Sequence, residues 1–255
     1  MSDNRFAVMA EDYDEMAPVM VPYYGMMQGL MVDYLEIARA EHPVVVDLGA
    51  GGGRFLERVL HCNPTARCYW VDFSRPFQNV AQKRLERYGN RTVFIHAELE
   101  DGWPDRLSEQ PDYIFSMSAI HHLENHEKTA LYKKCFRVLK SGGWMVNIDE
   151  MKTIYADAYI QSLHDWVRHG ENRRNQLFGR FRQGYERWQG HFEEWKQRNL
   201  YRTSEVRSKG DDIHESFVKQ MAWMKRLGFV NVDLFFKYQL WCIVGGQKPR
   251  FSGNT

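Results

Sequence analysis

The sequence predicts an α/β fold, with a mostly parallel sheet covered by helices on both faces and an antiparallel strand at its C-terminal end. Over the first 150 residues, short apolar runs typical of strands alternate with segments of helical periodicity. Near the end of the chain, two apolar stretches are too close together to enclose a crossover helix, so they must pair as a hairpin. The seven predicted strands cover residues 44–48, 66–72, 93–96, 113–117, 143–149, 230–238 and 240–246.

The connecting segments predict helices over 54–61, 76–88 and 126–139, and another over 213–227 that stops at Gly228. Residues 151–212 fall outside this alternation, because they form one long stretch that is helical in composition. We expect them to be a helical cap inserted between the fifth strand and the last core helix. The length of 255 residues suits one medium-sized domain with such an insertion.

The most informative stretch, residues 44–55, predicts a buried strand, a glycine turn and the start of a helix. Its pattern D-x-G-x-G-x-G lets the backbone turn tightly and approach a ligand where a Cβ atom would collide. The following helix directs free N–H groups and the positive end of its dipole to the same place, which favours a carboxylate or phosphate. The stretch therefore predicts a cofactor-binding corner.

Later features favour a nucleoside cofactor over a purely steric turn. Asp72 ends the second strand about 20 residues after the glycines, where a carboxylate binds both hydroxyls of a ribose. Phe73 is positioned to stack on an adenine, and Glu98, at the end of the third strand, to accept from its amino group. The fourth strand ends in the small and polar residues 116–118.

With these motifs the chain resembles the class I S-adenosylmethionine-dependent methyltransferases, over roughly residues 1–150 and the C-terminal sheet. The motifs are D-L-G-A-G-G-G at 47–53, V-D-F-S at 71–74, A-E-L-E-D at 97–101, S-A-I-H-H-L at 118–123 and R-V-L-K-S-G-G-W at 137–144. The resemblance implies a Rossmann-like seven-stranded methyltransferase sheet and S-adenosyl-L-methionine as the cofactor. A nicotinamide-dependent dehydrogenase fits less well, because the turn lacks the sixth-position glycine or alanine of G-x-G-x-x-G.

The resemblance also implies which residues contact each part of the cofactor. The expected contacts are Asp47, Gly49, Ala50, Gly51 and Gly53 for the methionine end, Asp72 for the ribose, Phe73, Glu98 and Leu99 for the adenine, and Ser116, Met117 and Ser118 for the floor near the sulfonium.

Members of this class use an N-terminal segment as a lid over cofactor and substrate, which here corresponds to residues 1–40. The segment is rich in Met and Tyr, side chains that adapt to a bound apolar or aromatic group. We expect Tyr13 at the cofactor and Tyr23 at the substrate, although a Met stripe at helical spacing also suits core packing. The predicted organisation is a helical lid (1–40), a cofactor-binding core (41–150), the helical cap (151–212) and a C-terminal helix and hairpin that complete the core (213–255).

The 151–212 segment is rich in Arg, Trp and Tyr and only mildly basic. This mixture suits an anionic aromatic substrate or a flipped base. Amphipathic helices with Arg–Glu pairs outside and aromatic rings packed inward explain it better. A formal net charge of +1 and a pI near 7.7 create no overall field for nucleic acid or a membrane, so we expect a small-molecule substrate.

The histidine-rich run 121–126 places His122 and His126 four residues apart, a spacing that suits one metal ion if the run is helical. No third ligand is identifiable from spacing, so we predict no metal site. Because this loop follows the strand end that faces the sulfonium, we expect His121 to orient the acceptor or remove its proton. Asp149 and Glu150, which end the fifth strand, are rival bases, and we take His121 and Glu150 as the catalytic candidates.

A narrower resemblance is to the carboxy-S-adenosylmethionine synthases, which convert the cofactor's methyl sulfonium into a carboxymethyl one. It rests on residues 217–248 and on M-A-P-V-M-V-P-Y-Y at 16–24. It implies that Arg198 holds a substrate carboxylate, whereas Ala50 and Gly51 replace the Cys and Ser of that group. Methyl transfer to a small molecule is therefore the leading hypothesis. A carboxy-S-adenosylmethionine synthase-like or carboxylated-cofactor-using enzyme and a non-catalytic cofactor-binding module are the alternatives.

The four cysteines, at 62, 68, 135 and 242, lack the C-x-x-C spacing of zinc or disulfide frameworks. The N-terminus has no apolar signal core, and no uncharged apolar run approaches the length needed to cross a bilayer. We therefore expect a cytoplasmic protein with no membrane partner, and a homodimer is compatible with the sequence.

Overall fold

Seven strands form one sheet in the computed structural model, which describes residues 10–207 and 210–250. The strands are β1 (Val44–Leu48), β2 (Arg67–Asp72), β3 (Thr92–His96), β4 (Tyr113–Met117), β5 (Trp144–Glu150), β6 (Val230–Tyr238) and β7 (Trp241–Gln247). Their order across the sheet is β3-β2-β1-β4-β5-β7-β6, with β1 to β5 parallel. Strand β7 lies antiparallel between β5 and β6. The predicted fold class is confirmed.

The α-helices of the described residues are α1 (Ala10–Met20), α2 (Tyr24–Tyr34), α3 (Arg54–Cys62), α4 (Arg75–Leu85), α5 (Asn125–Val138), α6 (Ala156–Gln176), α7 (Gly179–Lys196) and α8 (Phe217–Leu227). Helix α8 begins four residues later than predicted, because Ser216 caps it and accepts a hydrogen bond from the N–H of Lys219 at 3.2 Å. The residues before it run beside the loop that follows β4, where the Ile213 N–H donates to the His121 carbonyl at 2.7 Å.

A hydrophobic cluster covers each face of the sheet, as the alternation of strand side chains requires. Val45 and Phe115 belong to the cluster that includes side chains of α1 to α4, α6 and α7. Val46 and Ile114 belong to the other, with side chains of α5 and α8. The connections diverge from β1 and β4 to opposite sides of the sheet, which opens a crevice at their carboxyl ends. In the described part of the chain, no helix combines the length and apolar character that a membrane span requires.

Helices α6 and α7, from the segment after β5, pack against α1. Arg187 Nε lies 2.6 Å from Asp12 Oδ1, and Arg173 Nε donates to the Val19 carbonyl at 3.0 Å. Between α6 and α7, Gly170 approaches the Phe192 ring so closely that a Cβ atom at residue 170 would lie 2.5 Å from it. A glycine at this position is therefore required for the two helices to pack together.

We predict that Gly170→Ala destabilises the protein, because the buried Phe192 ring has to move to admit the methyl group. The cost of such overpacking is about 1–3 kcal/mol in the free energy of unfolding, measured by equilibrium urea denaturation. Gly190→Ala is the matched control, since nothing lies within 4 Å of a Cβ atom there. The control should be neutral or stabilising by up to about 1 kcal/mol, and equal effects of the two substitutions would contradict the packing argument.

Candidate functional site

A cavity opens at the carboxyl ends of β1, β2, β4 and β5, beneath α1, α6 and α7. One part, which we call the glycine corner, is formed by residues 47, 49–52, 72–74 and 97–100. The other, which we call the aromatic part, is walled by Trp166, Trp188, Phe192, Trp195 and Trp241. A cluster of histidine and acidic side chains also lines the cavity.

The glycine turn follows β1 directly and is held by β2. Gly49 has a φ of 67°, and a Cβ atom there would collide with the Ala119 side chain, so both conformation and space require glycine. The Gly51 N–H donates to Asp72 Oδ2 at 2.9 Å, and the Gly51 carbonyl accepts from Trp70 Nε1 at 2.7 Å. The backbone of the turn is thus fixed before any ligand arrives.

Two buried carboxyl groups, Asp47 and Asp72, lie in the glycine corner. The N–H groups of Gly51 and Ser74 donate to different oxygens of Asp72, both at 2.9 Å, and the Phe73 backbone also hydrogen-bonds this carboxylate. Burial raises the pKa of Asp72 despite these hydrogen bonds. Burial, together with the charge of Asp72, holds the pKa of Asp47 well above its usual range. The corner therefore favours a cationic group beside Asp47.

Helix α1 is attached to the glycine corner by a buried ion-pair cluster. The Asp14 Oδ2 atom lies 2.6 Å from Arg84 Nη2 and 3.1 Å from Arg54 Nη2. Arg84 also donates to the Gly52 carbonyl, and a Cβ atom at Gly52 would collide with the Asp14 carboxylate. The third glycine of the run is thus explained by the approach of α1.

Tyr13 of α1 connects this helix to the end of β4. Its hydroxyl lies 3.0 Å from Ser118 Oγ, and burial raises the pKa of Tyr13 to about 12. Ser118 has a φ of 58°, a conformation that non-glycine residues adopt rarely and that is common at functional sites. This backbone turn directs the Ser118 side chain to Tyr13 at the cavity wall.

The aromatic part gathers residues from three separate elements. Trp166 of α6 makes edge contacts with Trp195 of α7 and Trp241 of β7, at ring-centroid distances of 6.3 and 6.1 Å. The indole nitrogens of Trp195 and Trp241 are buried, and neither has a hydrogen-bond partner among the described residues. Because an unpaired buried donor is costly, these two N–H groups are suited to an oxygen atom of a bound molecule.

His121 lies between two buried carboxylates on the polar side of the cavity. Its Nδ1 is 2.5 Å from Asp149 Oδ1, and its backbone N–H donates to Asp149 Oδ2 at 2.8 Å. On the other side, His121 Nε2 lies 3.4 Å from Asp212 Oδ1. Burial opposes a charge on this ring, but the two carboxylates outweigh it and raise the pKa of His121 to about 10.

His122 points to the same carboxylate, with its Nδ1 3.7 Å from Asp212 Oδ1. Burial and the neighbouring His121 lower the pKa of His122 to about 3. The pKa of Asp212 is held well below its usual range, because the nearby imidazoles outweigh its burial. Asn199 Nδ2 donates to the other oxygen of Asp212 at 2.7 Å.

Glu150 and Arg198 also line the cavity. Glu150 Oε2 lies 3.0 Å from His214 Nε2, and the other ring nitrogen of His214 lies 2.7 Å from the Tyr159 hydroxyl. The Arg198 guanidinium lies 3.4 Å from both Asp211 and Asp212, so its charge is substantially compensated.

Most of the site residues expected from the sequence line this one cavity. They are Tyr13, Asp47, Gly49, Ala50, Gly51, Asp72, Phe73, Glu98, Leu99, Met117, Ser118, His121, Glu150 and Arg198.

Three expected residues lie elsewhere. Gly53 begins α3 and packs near Ala81 and Leu85. Ser116 donates to the Leu48 carbonyl at 2.8 Å, a contact between neighbouring strands. The expected substrate residue Tyr23 is 51% exposed. Its ring packs against residues 236 and 238 of β6 instead of lining the cavity.

Asp14, Tyr24, Asp212 and the residues of the aromatic part line the cavity but are not among the expected site residues, and His122 is considered only as a candidate metal ligand with His126. The richness of 151–212 in Trp is a signal for the aromatic part, although inward packing explains that composition better.

Comparisons with known proteins agree with this architecture. Residues 45–143 match the methyltransferase domain family. Over its length the chain is 22% identical to a carboxy-S-adenosyl-L-methionine synthase of Helicobacter hepaticus, covering 91% of this chain and 89% of that protein. A putative S-adenosyl-L-methionine-dependent methyltransferase of Methanococcus maripaludis superposes with a TM-score of 0.59 at 12% identity, covering 96% of this chain and 94% of that one.

Human N-acetylserotonin methyltransferase, in complex with S-adenosylmethionine, superposes with a TM-score of 0.55 at 12% identity. The match covers 94% of this chain but only 56% of the human one. The class recognised from the sequence is thereby confirmed: the chain carries a methyltransferase domain on the fold of the class I S-adenosylmethionine-dependent methyltransferases. S-adenosyl-L-methionine is the cofactor that these comparisons support.

We predict that Asp72→Ala weakens S-adenosylmethionine binding by about 10- to 100-fold, because a charge-assisted hydrogen-bond acceptor is lost from the glycine corner. Isothermal titration calorimetry measures the affinity. Asp112→Ala is the control, since Asp112 also accepts a backbone N–H, from Val44 at 2.8 Å, but at the opposite end of β1. Undiminished affinity in Asp72→Ala, with the control also unchanged, would refute the cofactor assignment.

Proposed function

We propose that the protein transfers the methyl group of S-adenosyl-L-methionine to a small-molecule acceptor beneath a helical cap formed by α6 and α7. The observation that carries this proposal is that one cavity joins the glycine corner to the aromatic part. The corner suits a nucleoside cofactor, and the aromatic part offers an enclosed apolar surface for a second molecule. Such enclosure favours a small acceptor over a nucleic acid.

The residues of the glycine corner fit the cofactor. The Asp72 carboxylate accepts backbone N–H groups on both oxygens, and because a carboxylate offers about four lone-pair sites it still has room for a ribose hydroxyl. The Asp47 carboxyl suits the cofactor's ammonium group, whose charge would compensate its burial. When bound, the cofactor supplies an activated methyl group on a positively charged sulfur.

The remaining work of the protein is positioning and exclusion of water. Helix α1, fastened through Asp14, acts as the lid over the cofactor. The rings of Trp166 and Trp241 bind and orient the acceptor, and their burial keeps water away from the reacting atoms. In-line approach of the acceptor in a dry pocket is the main requirement of methyl transfer.

If the acceptor carries a hydroxyl, an ammonium or an acidic carbon, its proton has to leave. We assign this step to Glu150, whose buried carboxylate lines the cavity with His214 Nε2 3.0 Å away. His121, held firmly by Asp149, orients the acceptor. The glycine corner would hold the cofactor, which would supply the methyl group and keep the electron pair of its carbon–sulfur bond.

We predict that Glu150→Gln lowers kcat for such an acceptor by about 100-fold or more, because the isosteric amide cannot accept the proton. The dissociation constant of S-adenosylmethionine should stay within about twofold, since Glu150 lies outside the glycine corner. Release of S-adenosylhomocysteine in a metabolite panel measures the first quantity, and calorimetry the second. A full rate in the variant would remove Glu150 from the reaction.

Cofactor binding should also be coupled to the titration of Asp47. The raised pKa of Asp47 keeps its carboxyl protonated above the usual pH range of an aspartate. A cofactor ammonium favours the ionised form, so binding releases a proton and affinity should rise with pH up to the raised pKa, then level off. Calorimetry in two buffers of different ionisation enthalpy measures the released proton. The dependence should vanish in Asp47→Asn, and pH-independent affinity in the native chain would contradict the assignment.

Similarity over most of the chain to a carboxy-S-adenosyl-L-methionine synthase favours a second candidate function, an enzyme that makes or uses a carboxylated cofactor. In this alternative Arg198 binds the extra carboxylate. Its contacts with Asp211 and Asp212 weaken the alternative, because a guanidinium whose charge is already compensated by two carboxylates attracts a third carboxylate only weakly.

Mass spectrometry of the ligand released on denaturing the purified protein decides between the two candidates. S-adenosylmethionine or its demethylated product supports methyl transfer, and a carboxylated cofactor supports the second function. If no ligand is released, a titration with added S-adenosylmethionine follows, and failure to bind it would overturn the proposed function.

A further inference from the structure

We propose that His121, His122 and Asp212 bind a divalent transition-metal ion whose open coordination position faces the acceptor. One ligand atom from each residue lies within 4.8 Å of the other two, and all three residues line the cavity. The prediction that no metal is bound rested on the lack of a third ligand near His122 and His126. The fold supplies that third ligand from a segment 90 residues further along the chain, since Asp212 meets His122.

The distances from the two imidazoles to Asp212 fit such an ion. His121 Nε2 and His122 Nδ1 lie 3.4 and 3.7 Å from the same oxygen, Asp212 Oδ1. Nitrogen and oxygen ligands about 2.0–2.1 Å from a tetrahedral zinc-like ion are about 3.4 Å from one another. The separation is also longer than a good hydrogen bond between an imidazole and a carboxylate. Little movement would be needed to close these three groups on an ion.

Neighbouring side chains orient the ligand candidates by hydrogen bonds, as is usual around metal ligands. Asp149 binds His121 Nδ1 at 2.5 Å, which leaves Nε2 as the nitrogen that faces the cluster. Asn199 donates to Asp212 Oδ2 at 2.7 Å, which leaves Oδ1 for the ion. A carboxylate behind a ligating imidazole and a hydrogen bond behind a ligating carboxylate fix orientation and raise ligand basicity.

Carboxylates and cations both surround the three groups. The carboxylates of Asp149, Glu150, Asp211 and Asp212 lie in this region with the basic side chains of Arg198, Lys128 and Arg207. An ion pair of His121 with its two carboxylates would explain Asp149 and Asp212. His122 is also held by the backbone of Asp211, and this contact places its Nδ1 on the side of Asp212 Oδ1.

The ligand class follows from the open position, and this step rests on the proposed methyl transfer. Two imidazoles and one carboxylate leave a transition-metal ion able to bind an oxygen anion, such as a carboxylate, phenolate or enolate. The unpaired indole N–H groups of Trp195 and Trp241 are donors for such an oxygen in the same cavity. The acceptor is therefore inferred to be a small aromatic or apolar molecule with an anionic oxygen that the metal holds.

Metal binding is tested without the acceptor. The full chain is stripped with a chelator and titrated with CoCl2, while the visible absorption of Co²⁺ reports its ligands. We expect one ion per chain, and a loss of affinity of at least 100-fold in His122→Ala and in Asp212→Asn. His126→Ala is the matched control, because His126 is four residues from His122 but its side chain is 77% exposed and beside Glu124. The control should bind Co²⁺ as the native chain does.

Absence of stoichiometric binding, or equal binding in all variants that retain the native unfolding temperature, would overturn the proposal. S-adenosylmethionine affinity, measured on the same samples, separates this result from failure of the proposed function. Binding of the cofactor without metal would overturn the metal site alone. Binding of metal without the cofactor would overturn the methyl-transfer proposal and, with it, the inferred acceptor. Methyl transfer at an unchanged rate by the stripped protein would refute the metal's role in acceptor binding.

Discussion

The hydrogen bond from the Gly51 N–H to the Asp72 carboxylate joins the ends of β1 and β2, and the cavity depends on that junction. It fixes the glycine turn at the point where the connections leave the sheet in opposite directions. The turn sets the start of α3 and leaves space at Gly52 for Asp14 of α1. Helices α6 and α7 pack against α1, so the same junction also helps to position them. The glycine corner and the aromatic part of the cavity therefore both depend on this hydrogen bond.

Burial of charge is the second constraint on the architecture. Asp14 is compensated by two arginines, Asp72 by two backbone N–H groups, and Asp149 by the His121 ring and N–H. A buried charge without such partners would cost several kcal/mol. Asp47 differs from these groups, because burial and the charge of Asp72 hold its pKa well above the usual range, and this is the position at which we propose that the cofactor ammonium binds.

The strands of the core could be predicted from the sequence more closely than the role of the inserted helices. Predicted strands such as 44–48 and 113–117 agree with the structure to the residue, because a buried parallel strand is a local apolar run bounded by turn residues. Helix α8 started later than predicted, since the pairing of residue 213 with His121 is a tertiary contact. The aromatic part of the cavity could not be distinguished from ordinary core packing, because both put the same residue types at the same helical spacing.

Local pattern was therefore enough to establish the sheet, the glycine turn and the class of cofactor, since those features depend on residues close together in the chain. The aromatic part of the cavity and the cluster of His121, His122 and Asp212 depend on the packing of segments that are far apart in sequence. No spacing rule connects residue 122 to residue 212, because their separation is set by the lengths of three intervening helices, α5 to α7, and of strand β5. Their meeting is a property of the folded chain, in which the segment before α8 returns to the carboxyl end of the sheet.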